Sequence, residues 1–171
     1  IIKEVDVESV FENDVLPPLQ EAFEKKLDNL NHIFEKSDDP VFYRMHILND
    51  MLSKSNTEVV INYDCDVILP IESYINAYES ILNNQSDVVY PFGNGLYQKQ
   101  VHATDDLVNE FLNNGFDFSV LESKSNTHTS DFGWVQFFNR KVYIEGGMEN
   151  ENFRGSSPED KERYFLTLIH I

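Results

Sequence analysis

Cysteine is nearly absent: Cys65 is the only one in 171 residues, which excludes an internal disulfide framework and a zinc site built on several thiolates. A reducing compartment is the natural setting for such a chain. Basic side chains are also scarce, with 13 Lys and Arg against 30 Asp and Glu and a formal net charge of −17. A nucleic-acid binder is disfavoured on that count, because affinity for a phosphate backbone comes from Lys and Arg. Any anionic ligand needs a local cation. No apolar run approaches the roughly 20 residues of a membrane span, and no basic leader precedes an apolar stretch. We therefore expect a cytoplasmic protein, at most peripherally associated with a membrane. Also missing are a phosphate-cradling P-loop, a Rossmann glycine fingerprint and a serine nucleophile elbow.

Core-forming material is present in quantity. Hydrophobic residues make up 41% of the chain, including 13 Phe and 8 Tyr, enough to exclude wholesale disorder and to build a single domain over 1–171. Short apolar runs alternate with helical patterns, the signature of an α/β layer fold. Ile1 to Val5 reads as a strand. Leu19, Phe23, Leu27, Leu30 and Phe34 recur at helical spacing between Pro17-Pro18 and Asp38-Asp39-Pro40. A second helix is expected from about Val41 to Ser53, and Glu58 to Tyr63 is β-branched and continuous, as a central buried strand should be. Ile71 to Leu82 reads as an amphipathic helix, Asp87 to Tyr90 as a brief strand, Phe92 to His102 as loop and edge, and Asp105 to Asn113 as a helix ended by Gly115. The polar stretch Ser119 to Ser130 is expected to be a mobile loop. Trp134 to Arg140 reads as extended and is broken by Glu145-Gly146-Gly147.

Two constellations carry chemistry. Asp64-Cys65-Asp66 follows the apolar run Val59 to Tyr63 directly, and residues i and i+2 of an extended chain point to one side. Both carboxylates then converge at the carboxyl end of a strand, where open α/β sheets place their ligands. Two hard oxygen ligands on a short turn suit Mg²⁺ or Mn²⁺ rather than zinc. With a diphosphate ligand, each carboxylate–phosphate pair about 4 Å apart would repel by about 4 kcal/mol at an effective dielectric near 20, and a bridging divalent cation reverses that sign. The plain alternative is that Asp64 and Asp66 are turn residues, since Asp is common where strands end.

The second constellation runs from Gly146-Gly147 to Glu159-Asp160. A glycine pair opens a polar loop that leads to a new helix, with Ser157 as N-cap, Pro158 at the first helical position and Asp160 placed as in a capping box. Glu159 and Asp160 are either plain first-turn acids favoured by the helix dipole or a general base held ionised at the top of the sheet. His32 and His46 fall in helical patterns, where a structural role is expected. His102 and His128 lack a His or Cys partner at metal spacing.

Taken in order, these pieces resemble inverting glycosyltransferases of the GT-A fold, most closely the family 2-type bacterial capsule and galactosyltransferase-like enzymes. The matching residues are Asn49, Tyr63-Asp64-Cys65-Asp66-Val67, Gly133-Trp134 with Phe137-Phe138-Asn139-Arg140, Gly146-Gly147-Met148-Glu149-Asn150-Glu151-Asn152-Phe153, and Glu159-Asp160-Lys161-Glu162. The resemblance implies an open, mostly parallel sheet flanked by helices and lacking its first strand. It implies a sugar moved from a nucleotide-diphosphate donor, a UDP-sugar, to a glycan hydroxyl with inversion, in polysaccharide or capsule biosynthesis. Asp64 and Asp66 would sit at the donor diphosphate and bind Mn²⁺ or Mg²⁺, with His170 as a further metal ligand. Asp160 would be the catalytic base with Glu159 beside it, Gly146 and Gly147 would shape the donor-sugar pocket, and Glu4 or Asp6 would lie near the nucleotide base. Gly155-Ser156-Ser157-Pro158 departs from the Gly-Trp-Gly common in the family. With the missing strand, it supports an alternative: a non-catalytic GT-A-like binding or assembly module of a larger polysaccharide-synthesis protein. The opening Ile1-Ile2, and a length short of the roughly 200–250 residues of a complete α/β transferase, predict a fragment of a longer chain.

Overall fold

A computed structural model of the chain describes residues 1–23, 27–92, 98–127, 134–154 and 161–162. They form a mixed α/β structure with small sheets, divided into two compact units: Ile1–Thr57 with the described residues from Glu145 onward, and the described residues of Glu58–Ile144.

In the first unit β1 (Ile2–Asp6) pairs in parallel with β2 (His32–Lys36), from Ile2 opposite His32 to Asp6 opposite Lys36. Between them, one wide helical turn over Phe11–Val15 runs into α1 (Leu16–Phe23). The wide turn is marked by the Leu16 N–H reaching back to the Phe11 carbonyl, and the N–H groups that Pro17 and Pro18 lack are the ones that would otherwise continue regular α-bonding. Phe34 therefore lies on a strand, not on the long helix its spacing suggested. His32 likewise belongs to a strand. α2 (Arg44–Lys54) buries Met45, Ile47, Asn49 and Leu52.

The second unit begins with β3 (Val59–Tyr63) and α3 (Ile71–Leu82), followed by β4 (Val88–Val89) and β5 (Lys99–Val101). Then come α4 (Asp105–Asn113), α5 (Phe118–Glu122), β6 (Ser125–Thr127), β7 (Val135–Asn139) and α6 (Arg140–Glu145). β7 sits between β3 and β4 and runs antiparallel to both, with Tyr63 opposite Val135 and Val88 opposite Phe138. β5 and β6 form an antiparallel ribbon.

Several expectations change here. The sheet is not mostly parallel: among the described residues β1–β2 is the one parallel pair and the rest are antiparallel. The strand buried along its length is β7, whereas β3 flanks it with Ile61 and Tyr63 exposed. Gln136, fully buried as the second residue of β7, breaks the apolar run and masks that strand's central position in the sequence. The polar stretch expected to be a loop contains α5 and β6, and a helix, α6, separates β7 from Gly146-Gly147.

Val59, Ala77, Ile81, Val135 and Phe137 form the core of this unit, with Val67, Leu69, Tyr74, Val89 and Trp134 packed against it. On the opposite face of β7, Phe138 stacks on Tyr143 of α6 with ring centroids 4.3 Å apart. α4 starts on the Thr104 hydroxyl, which accepts the Leu107 N–H at 3.3 Å. It ends at Gly115, whose φ of +68° is the left-handed conformation expected of a helix stop.

Candidate functional site

The aspartate pair sits on a closed turn at the carboxyl end of β3. The Asp64 N–H donates to the Trp134 carbonyl at 2.7 Å, and the Val67 N–H donates to the Asp64 carbonyl at 3.1 Å. Tyr63, the residue before the pair, reaches across the turn and donates its hydroxyl to the Val67 carbonyl. Its oxygen lies 2.8 Å from the Tyr74 hydroxyl of α3, and Tyr74 in turn accepts the Leu69 N–H at 2.9 Å. Both ends of the turn are thus fastened to the helix that follows. Burial and the Tyr74 contact push the Tyr63 phenol well above its usual pKa, so it stays a neutral hydroxyl. Asp64 is half-buried, while Cys65 and Asp66 face solvent. Trp134, which holds Asp64, has a φ of +67°, an uncommon conformation for a bulky residue and one that concentrates at functional sites. Sequence reasoning did not find Tyr63 and Tyr74 as the fasteners of this turn. Tyr63 immediately precedes Asp64, and that adjacency was the available signal.

The glycine loop belongs to the first unit, and its shape follows from backbone conformation. Gly147 has φ +99° and Met148 φ +63°, two successive left-handed residues that reverse the chain. A Cβ on Gly147 would meet nothing within 4 Å, so the constraint there is conformational, not spatial. The reversal delivers Glu149 to the side chain of Asn49 on α2. The Asn49 amide donates to the Glu149 carbonyl at 2.9 Å, its oxygen accepts the Glu149 N–H at 2.9 Å, and the amide also reaches a Glu151 carboxylate oxygen at 2.8 Å. The other Glu151 oxygen is 3.1 Å from His46 Nδ1. Asn49 first and His46 second hold the Glu151 carboxyl below its ordinary pKa. Asn49, Glu149 and Glu151, three of the residues that carry the family resemblance, are therefore brought together.

At the carboxyl ends of β1 and β2 lies a cleft of about 500 Å³, lined among others by Asp6, Asp38, Asp39, Phe42, Tyr43 and His46. The two acids proposed for a nucleotide base separate here. Glu4 is committed to the fold: its carboxylate accepts the Ser9 hydroxyl at 2.6 Å, the Val10 and Phe11 N–H groups at 2.7 and 3.1 Å, and lies 3.2 Å from His32 Nε2. Burial alone would raise its pKa, but these bonds outweigh it and the net shift is downward. Asp6 instead lines the cleft.

Glu159, Asp160 and His170 lie outside the described residues, as does Gly133. Asp64 and Asp66 are placed on the turn, and Gly146 and Gly147 on the exposed loop. Among the described residues no group of three or more His, Cys, Asp and Glu side chains is arranged to hold a metal. The donor set of Asp64 and Asp66 nonetheless fits Mg²⁺ or Mn²⁺, which is commonly bound by one or two carboxylates with phosphate and water oxygens filling the other positions. No helix among the described residues is long and apolar enough to cross a membrane. Compared with family models, curated proteins and solved structures, the chain matches none of them.

Proposed function

We propose that this chain is a metal-dependent, inverting glycosyltransferase domain of the GT-A type that moves a sugar from a UDP-linked donor to a glycan hydroxyl in polysaccharide biosynthesis. The observation that carries the reading is the Asp64-Cys65-Asp66 turn: two carboxylates at the carboxyl end of a strand, on a backbone fastened by Trp134, Tyr63 and Tyr74. Asp66, the exposed member, is the direct metal ligand, and half-buried Asp64 fixes the turn and adds a second oxygen. His170 is a further ligand in this reading. When bound, Mn²⁺ or Mg²⁺ screens the donor diphosphate and the charge it gains on leaving. In this reading the turn that Gly146 and Gly147 make is part of the donor-sugar pocket. Asp160 takes the proton from the acceptor hydroxyl as that oxygen attacks the anomeric carbon, and Glu159 holds the acceptor. One displacement at that carbon inverts its configuration.

Calorimetry with UDP and Mn²⁺ tests the donor site: wild type should bind and Asp66→Ala should lose at least tenfold in affinity. Undiminished binding by Asp66→Ala, or none by wild type, sinks the reading. Asp160→Asn should keep UDP affinity while sugar transfer falls by about 10²–10⁴, the usual worth of a general base. Transfer unaffected by that change removes Asp160 from the mechanism.

A further inference from the structure

Helix α3 is apolar over two adjacent stripes, and only one of them is covered. Tyr74, Ala77 and Ile81 pack on the sheet, whereas Ile71, Ile75, Tyr78 and Leu82 are 38 to 63% exposed. These four recur at intervals of four, three and four residues, the spacing by which one helix meets another, over roughly 16 Å of helix axis. A contiguous apolar row on an otherwise soluble surface marks an interaction site more often than scattered exposed side chains do. Its flank is acidic: Glu72 and Glu79, both exposed, lie one above the other along the edge of the row facing away from the core. From Ser55 to Gln98 the chain contains no Lys, Arg or His, while it contains Glu58, Asp64, Asp66, Glu72, Glu79 and Asp87.

We propose that the outer face of α3 is a docking site for a basic amphipathic helix of a partner protein. The partner's apolar side covers Ile71, Ile75, Tyr78 and Leu82, and its Lys or Arg residues meet Glu72 and Glu79. Charge selects this occupant over two others. A second copy docked through α3 would bring glutamates against glutamates with no cation from this segment to separate them. An anionic bilayer would be repelled by the same acids.

The probe is a synthetic 18-residue helix of Leu on one face and Lys on the other, with a Leu/Glu helix as control, followed by fluorescence anisotropy at physiological salt. Ile75→Ser/Tyr78→Ser leaves the charge unchanged and should weaken Leu/Lys binding at least tenfold, with the thermal melt confirming an intact fold. Val108→Ser/Leu112→Ser, which removes exposed apolar groups from α4, should change it less than twofold. Glu72→Lys/Glu79→Lys should shift preference to the Leu/Glu helix. Equal binding by all variants means attraction to the net charge alone and overturns the proposal. So does a wild-type dimer in ultracentrifugation that Ile75→Ser dissolves, or binding to phosphatidylserine vesicles in place of the peptide.

Discussion

The two units of this chain are held together by different physics. In the first, ion pairs and side-chain hydrogen bonds are prominent: Lys3 lies 2.8 Å from both Glu35 and Asp50, Lys54 also pairs with Asp50, His32 sits 3.2 Å from carboxylate oxygens of Glu4 and Glu12, and His46 lies 3.1 Å from Glu151. Among its described residues the buried apolar side chains are Met45, Ile47 and Leu52 of α2. In the second unit Lys124 pairs with Glu110 at the surface, and a core of Val59, Ala77, Ile81, Val135 and Phe137 is joined by the Phe138–Tyr143 ring stack on the other face of β7. The Lys3 side chain is only 4% exposed. Burial pulls its ammonium pKa down, but hydrogen bonds to Asp50 and Glu35 outweigh that and the net shift is upward. The same lysine, with Lys54, holds the Asp50 carboxyl down at about 2. A unit that buries few of its apolar side chains among the described residues leans on charged groups instead, and its stability then depends on pH in a way that an apolar core does not.

The strongest test of that contrast is Phe137→Ala. Phe137 is 1% exposed at the centre of the second unit, and truncation should cost about 3–5 kcal/mol in urea unfolding. A loss under 1 kcal/mol would mean the core is not what holds β7. Next is Asn49→Ala, which removes both bonds to the Glu149 backbone and the bond to Glu151. About 2–3 kcal/mol should be lost, with faster hydrogen exchange at the Glu149 amide, because a buried N–H is left without its acceptor. Unchanged exchange there would remove Asn49 as the clamp.

Acid separates the units. Asp50, Glu4, Glu35 and Glu151 all have folded pKa values below their ordinary ones. Their contribution is present above the unfolded pKa and is lost as pH falls through the folded one, for Asp50 between about pH 4 and about pH 2. Hydrogen exchange by mass spectrometry should show peptides of Ile1–Thr57 losing protection before those of Glu58–Ile144. Simultaneous loss would erase the distinction. The smallest effect belongs to Lys124→Ala, whose half-exposed pair with Glu110 should be worth less than about 0.5 kcal/mol and should vanish in high salt.

What the sequence revealed was local. The bounds of α3 and α4, the strand before Asp64 and the turn at Gly115 depend on neighbours within a few residues, and the structure bears them out. Phe34 went to a strand because five apolar residues at helical spacing do not outweigh pairing with β1. Ser119 to Thr127 acquired structure because Phe118 packs on Phe111 with rings 5.5 Å apart, a contact no polar composition announces. Burial along β7 escaped notice because Gln136 breaks its apolar run. The aspartate turn was legible for the same reason α3 was. Its fastening by Tyr74 and the clamp of Asn49 on Glu149, across 100 residues, were not, because nothing local encodes them.

Trp134 has one more property. It is the only tryptophan in the chain, its carbonyl holds Asp64, and its ring lies 5.5 Å from that of Phe92. Its emission is therefore a built-in optical reporter of the aspartate turn, free of background from any other indole. Any change at the turn that moves the Asp64–Trp134 bond should therefore register in that emission without a label.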